Sequence, residues 1–202
     1  MNTKAFSSPI KKLTGLLLTI GASALIGLPV LAQSYYSAAI FNPRRNSTSR
    51  SVDGTIAGEF DAAIKYYQNF QTFAEAVNQA GLMEKFRSSN SPDANKVEYT
   101  VFVPTDEAFA ALPEATRKEL FKPENKEKLL KLLNYHIVPG NVSDEEVADG
   151  KVETVSGNEI TINLHSTEDK ITLNESSTIE SSQRAKNGVI ILVDEVLMPE
   201  EL

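Results

Sequence analysis

The feature that most constrains this chain is a strand that gives way to a helix within three residues. Tyr99, Thr100, Val101, Phe102 and Val103 are all aromatic or β-branched, the side chains that fit a pleated, half-buried surface. Pro104 has no N–H to give to a ladder and predicts the strand's end. Thr105 or Asp106 predicts a helix cap, a side-chain oxygen accepting from free backbone N–H groups. Glu107 adds an acid in the first turn, where the helix dipole favours it. Phe109 and Leu112 face back towards the strand, and Pro113 stops the helix and can open another. Both elements therefore offer apolar groups to one interior.

Helical periodicity surrounds this switch. Phe60, Ala63, Ile64 and Tyr67 recur at the spacing of an amphipathic helix, and Phe70, Phe73, Ala74 and Val77 repeat it after an interruption at Asn69. Gly81 suits the position just past a helix end. Leu82, Met83 and Phe86 continue an apolar face, and 87–95 reads as a polar loop. Downstream, Pro113 to Leu120 predicts a short helix, and Asn125 a cap for a longer one. In that longer helix Leu129, Leu132, Leu133 and His136 share a face, just before a Pro139-Gly140 turn. Ser143 and Glu146 form a capping box, so the acids Asp144 to Glu146 are read as helix-start charges. They lack the alternating oxygen ligands around a glycine that a calcium loop needs, and no metal site is expected.

From Lys151 the period changes to two. Val152 and Val155, then Ile160, Ile162 and Leu164, then Ile171 and Leu173 mark short strands, with turns at Gly157-Asn158 and Glu168-Asp169. Asn187-Gly188 leads into Val189 to Val193, an unbroken apolar run suited to a strand buried on both faces. Helices followed by antiparallel strands predict an α+β fold.

The first 32 residues have the composition of a cleaved export signal: Lys4, Lys11 and Lys12, an apolar run from Leu13 to Leu28, and Val30-Leu31-Ala32 before Gln33. Gly15, Gly21, Gly27 and Pro29 weaken the rival reading, an uncleaved membrane anchor. Cleavage would remove three lysines and take the formal charge from −7 to −10. The expected location is secreted, periplasmic or at the cell surface. Residues 33–54 read as a polar linker, made locally basic by Arg44, Arg45 and Arg50. The folded domain is expected over 55–202. Asn46, Asn141 and Asn174 each start an N-glycosylation sequon, which matters only in a host with that pathway. The acidic total, with no long basic cluster, argues against nucleic acid as a partner. Cysteine is absent, so neither disulfides nor thiolate chemistry enter.

Four segments, in order, resemble the fasciclin domain family. TVFVPTDEAFAALP is similar to its first signature box, NFQTFAEAVNQAGLMEKF to its opening helices with the Ala80-Gly81-Leu82 turn, and LLNYHIVPG to its Tyr-His motif. NGVIILVDEVLMP resembles the second box, with Ile191 where the family usually has His. The resemblance runs from about 55 to 199, one domain. It implies a fasciclin-like α+β fold: a β-sandwich-like core of short strands with helices packed across one side. It marks Thr105, Asp106, Phe109, His136, Asn187, Gly188 and Asp194 as structural positions. Tyr135, His136, Ile137 and Val138 are the positions where the family suggests partner binding.

No G-x-S-x-G elbow, phosphate-cradling loop or H-E-x-x-H pair is present in the sequence. The two histidines, His136 and His165, read as a core residue and a strand-end residue. Asp106 and Asp194 read as a helix cap and a strand-end anchor rather than catalytic carboxylates. No cofactor or catalytic residue is expected, and a hydrolase ranks last. The resemblance implies an exported interaction module for cell adhesion or surface attachment, its partner a cell-surface or matrix protein or a polysaccharide. The alternative is an exported carrier of an apolar ligand such as a carotenoid or lipid.

Overall fold

A computed structural model describes residues 39–43, 53–66, 69–87, 99–165 and 170–202. The export signal, most of the linker, Tyr67, all of the 87–95 loop after Arg87 and the Glu168-Asp169 turn lie outside the described residues. Helices α1 (Ile56–Tyr66), α2 (Gln71–Ala80) and α3 (Met83–Arg87) come first. Gly81 ends α2 at φ 83°, a left-handed conformation that costs glycine least. Strand β1 (Tyr99–Pro104) then leads into α4 (Asp106–Ala111), α5 (Glu114–Leu120) and α6 (Lys126–Tyr135). After β2 (Ile137–Pro139) and α7 (Asp144–Asp149) come β3 (Lys151–Glu153), β4 (Glu159–His165), β5 (Lys170–Leu173), β6 (Ser177–Arg184) and β7 (Gly188–Val193).

The seven strands form one sheet in the order β2-β1-β7-β6-β5-β4-β3. Neighbours are antiparallel except the central pair, β1 and β7, which run parallel, with Val101 opposite Ile190. These two strands are separated by most of the domain, so no hairpin forces them antiparallel. The sheet curls until its edges meet: the Val155 N–H, just past β3, donates to the Ile137 carbonyl of β2 at 2.7 Å. The short strands thereby wrap a barrel-like core, and helices pack across one outer side.

Alternation along β1 and β7 divides the interior in two. Val101, Val103 and Ile190 point to the helices, joining Ile56, Phe60, Phe73, Phe86, Phe109 and Leu133. Phe102, Val189, Ile191 and Val193 point into the barrel with Ile160, Ile171 and Leu173. Both central strands are thus buried on both faces, as the unbroken run in β7 predicts. Ile191 is fully buried among apolar neighbours, a place where an unpaired imidazole would be costly. Phe60 sits at the centre of the helical core, edge-on to Phe70, Phe73 and Phe86 at 5.7–6.3 Å between centroids, each pair adding about 0.5–1.5 kcal/mol beyond area burial.

Two expectations need correction, and one sequon gains a structural role. The polar linker contains an anchor: Phe41, in a helical turn at 39–41, is 1% exposed within the barrel core, and the Arg184 guanidinium donates to Asn42 Oδ1 at 2.9 Å. One apolar residue in a polar stretch has no period to reveal it. Asn125 does not cap α6 through its side chain; its amide donates to the Glu119 carbonyl at 2.7 Å and so ties down the end of α5. The Asn174 sequon is already engaged: its Oδ1 accepts from the Thr161 N–H at 3.1 Å and its Nδ2 donates to the Tyr135 hydroxyl at 2.8 Å. Attaching a glycan to that nitrogen would disturb both bonds.

Candidate functional site

The family motif at 135–138 sits where α6 ends and β2 begins, at the meeting point of the two cores. Tyr135 is 5% exposed, Val138 2%, and His136 and Ile137 are fully buried. None of the four offers a contact surface in this conformation, because the short helix-to-strand link leaves no room between the helical layer and the barrel. Ile137 faces the helices, while Tyr135 and Val138 face the barrel.

His136 is a clamp between two backbone groups. Its Nδ1 lies 2.9 Å from the Leu132 carbonyl, which can only accept, so Nδ1 carries the proton. Nε2 then accepts from the Leu197 N–H at 3.1 Å. This fixes the neutral tautomer and joins the end of α6 to the segment that follows β7. Phe73 packs beside the ring at 5.6 Å between centroids. Burial drives the pKa down to about 4, partly opposed by the bond to Leu132. A charged ring would place an N–H against the Leu197 N–H. Neither ring nitrogen is free to move a proton for a substrate.

The other structural positions act at similar joints. Thr105 caps α4, its Oγ1 accepting from the Ala108 N–H at 3.2 Å. Asp106 is also a cap, but of a different helix: its carboxylate accepts from the Gln71 and Thr72 N–H groups at 3.2 and 2.7 Å. It thereby fastens the start of α2 to the end of β1, a pairing across 35 positions that no local pattern displays. Phe109 packs into the helical core against Phe121. Asn187 is fully buried, accepting from the Ile56 N–H at 2.9 Å and donating to the Phe86 carbonyl at 2.7 Å. At Gly188 an added Cβ would lie 2.2 Å from the Tyr99 carbonyl oxygen and 2.4 Å from Ile56 Cδ1, so only glycine lets α1 and β1 approach there. The Asp194 carboxylate accepts from the Thr178 N–H, anchoring β6 to the end of β7.

The segment held by His136 also builds a surface that mixes polar and apolar groups. Two open clefts of about 650 and 450 Å³ meet at Asn174 and Met198. The larger takes in Tyr135, whose hydroxyl donates to the Glu159 carbonyl at 3.1 Å. The smaller has an apolar floor from Ala108, Leu112, Val196 and Leu197. Sequence reasoning missed this surface, because its lining comes from α4, the end of α6, β4, the β5–β6 turn and the final segment. His165 lies elsewhere, on a third cleft of about 470 Å³, with Nε2 3.0 Å from the Thr172 hydroxyl. Among the described residues no group of three or more His, Asp or Glu side chains is placed to hold a metal ion, and no helix is long and apolar enough to cross a membrane.

A filled barrel-like sheet with helices on one side, clamped at the Tyr-His link and at Asn187-Gly188, defines a fasciclin domain. The family model for that domain matches residues 68–199, and the chain belongs to this family. Among curated relatives, Protein sll1483 of Synechocystis is 39% identical over 132 residues, covering 65% of this chain and 68% of that protein. Cell surface glycolipoprotein MPB83 of Mycobacterium bovis is 34% identical, covering 54% of this chain and half of that protein. Transforming growth factor-beta-induced protein ig-h3 of Sus scrofa is 30% identical over 142 residues, only 18% of its length. A solved FAS1 domain pair from the insect cell adhesion molecule fasciclin I aligns over 73% of this chain with a TM-score of 0.48 and 14% identity.

Proposed function

We propose that this chain is an exported fasciclin-like interaction module that attaches cells to one another, to a surface or to a matrix. The observation that carries the proposal is the pair of open, joined clefts on the outside of a barrel whose interior is filled by side chains. Such a surface suits a macromolecular contact better than an enclosed ligand. Family membership supports the reading, as does a relative described as a cell surface glycolipoprotein. The locked geometry of His136 favours binding over catalysis. The motif at 135–138 then serves recognition indirectly, by holding the Leu197 segment in place.

A strain lacking the gene should lose aggregation or surface attachment and regain it with the wild-type gene. Unchanged attachment, together with a stoichiometric pigment or lipid in an organic extract of the purified protein, would instead establish the carrier; the apolar floor at Leu112 and Val196 is where such a ligand would lie. Export is tested by sequencing the native N-terminus. A start at Gln33 supports it, and an intact Met1 in a cytosolic fraction refutes it.

A further inference from the structure

We infer that the joined clefts around Met198 bind a segment of a partner protein in which lysine or arginine flanks an apolar side chain. The inference rests on the interaction-module reading and names the chemistry of the partner. Apolar and acidic groups meet there. Met198 is 38% exposed beside Leu112, and an unbranched thioether adapts to the shape of an incoming side chain. Five glutamates line the two clefts, and no lysine, arginine or histidine is among the described residues that do so.

Two of the five are already matched from outside, Glu159 by Lys151 and Glu201 by Lys131. Glu175, Glu195 and Glu200 are exposed and make no ion pair among the described residues. The local field reflects a wider polarity: the sequence after Gly140 holds fourteen acids and four bases, whereas residues 33–140 hold thirteen of each. A cleft lined by one sign of charge concentrates ligands of the other sign. An anionic lipid surface or acidic polysaccharide is repelled by this face, and a purely apolar ligand leaves its three unmatched carboxylates unused. A basic segment with an apolar side chain satisfies both parts, the side chain on Leu112 and Met198 and the cations on the glutamates.

The test uses the full mature chain and two labelled synthetic peptides, one with lysines flanking a pair of leucines and one with serines in place of the leucines. By fluorescence anisotropy at about 0.1 M salt, where the Debye length is about 10 Å, the leucine peptide should bind the wild type more tightly than the serine peptide. Its affinity should fall roughly tenfold in the triple variant Glu175→Gln, Glu195→Gln, Glu200→Gln, at a few tenths of a kcal/mol or more per exposed charge. Replacing three acids of α7 instead (Asp144→Asn, Glu145→Gln, Asp149→Asn) should leave binding within about twofold, since weak surface charges act locally in salt. Equal binding of the two peptides, an unaffected triple variant, or an equal loss in the α7 variant would each overturn the inference. Expressing the triple variant in the deletion strain separates the two readings. Restored attachment with lost peptide binding overturns the assignment of the cleft to the attachment partner, while adhesion stands. A deletion strain with no attachment defect refutes adhesion, and the peptide titration still decides the cleft.

Discussion

Lowering the pH should weaken this fold through His136 in a calculable way. The imidazole titrates near 6.5 in an unfolded chain and at about 4 in the folded one. The unfolded chain therefore binds the proton more tightly, so the contribution is fully present above about pH 6.5 and is lost as pH falls towards 4. The full gap corresponds to roughly 3 kcal/mol, of which more than a third is lost between pH 7.5 and 5.5 and most by pH 4.5. For a domain of this size that amounts to a fall in melting temperature of about 4 °C at pH 5.5 and roughly 5–10 °C at pH 4.5. His136→Ala removes the titration together with both bonds. It strands the Leu132 carbonyl and the Leu197 N–H and leaves a cavity, for a cost of roughly 3–5 kcal/mol at neutral pH. The assay is a set of thermal melts of wild type and variant from pH 7.5 to 4.5. Every other ionisable group is common to both proteins, so the difference between the two curves isolates His136. That difference should shrink steadily as pH falls. A constant difference across the range would refute the argument, because it would mean that the ring contributes packing alone.

The remaining predictions concern joints between elements. Gly188→Ala should destabilise by about 3 kcal/mol or more, since the nearest obstruction to the new methyl is backbone, the Tyr99 carbonyl; a urea midpoint equal to wild type would refute this. Asp106→Ala should cost about 1–2 kcal/mol by uncapping α2, with faster amide exchange at Gln71 and Thr72 before any change in α4. Thr105→Ala should show the reverse pattern, exchange rising first at Ala108, at a cost of about 1 kcal/mol. Phe41→Ala should cost roughly 3–4 kcal/mol by emptying its place in the barrel core. A melting temperature unchanged by that substitution would show that residues 39–43 do not belong to the cooperative unit.

By itself the sequence determined which segments are helices and which are strands, wherever one face is apolar. The period in Phe60 to Val77, the capping box at Ser143 and the unbroken run in β7 are local, and each specifies its element through its own burial or hydrogen bonds. Strand β6 escaped notice because Ser177 to Arg184 supplies one isoleucine and otherwise polar side chains; its ladder partners, β5 and β7, hold it, not its own hydrophobicity. Strand β2 was read as an approach to a turn because three residues are too few to show a period. The central position and neutrality of His136 followed from its apolar face and the cost of burying charge. Its second bond, to Leu197, did not follow, since it crosses 61 positions. Asp106 shows the same limit: its residue type announced a cap, and only packing decided that the capped helix is α2. The clefts at Met198 belong wholly to the tertiary structure. Their lining is drawn from α4, α6, β4, the β5–β6 turn and the final segment, and a surface assembled from parts that far apart in sequence has no single period, spacing or motif.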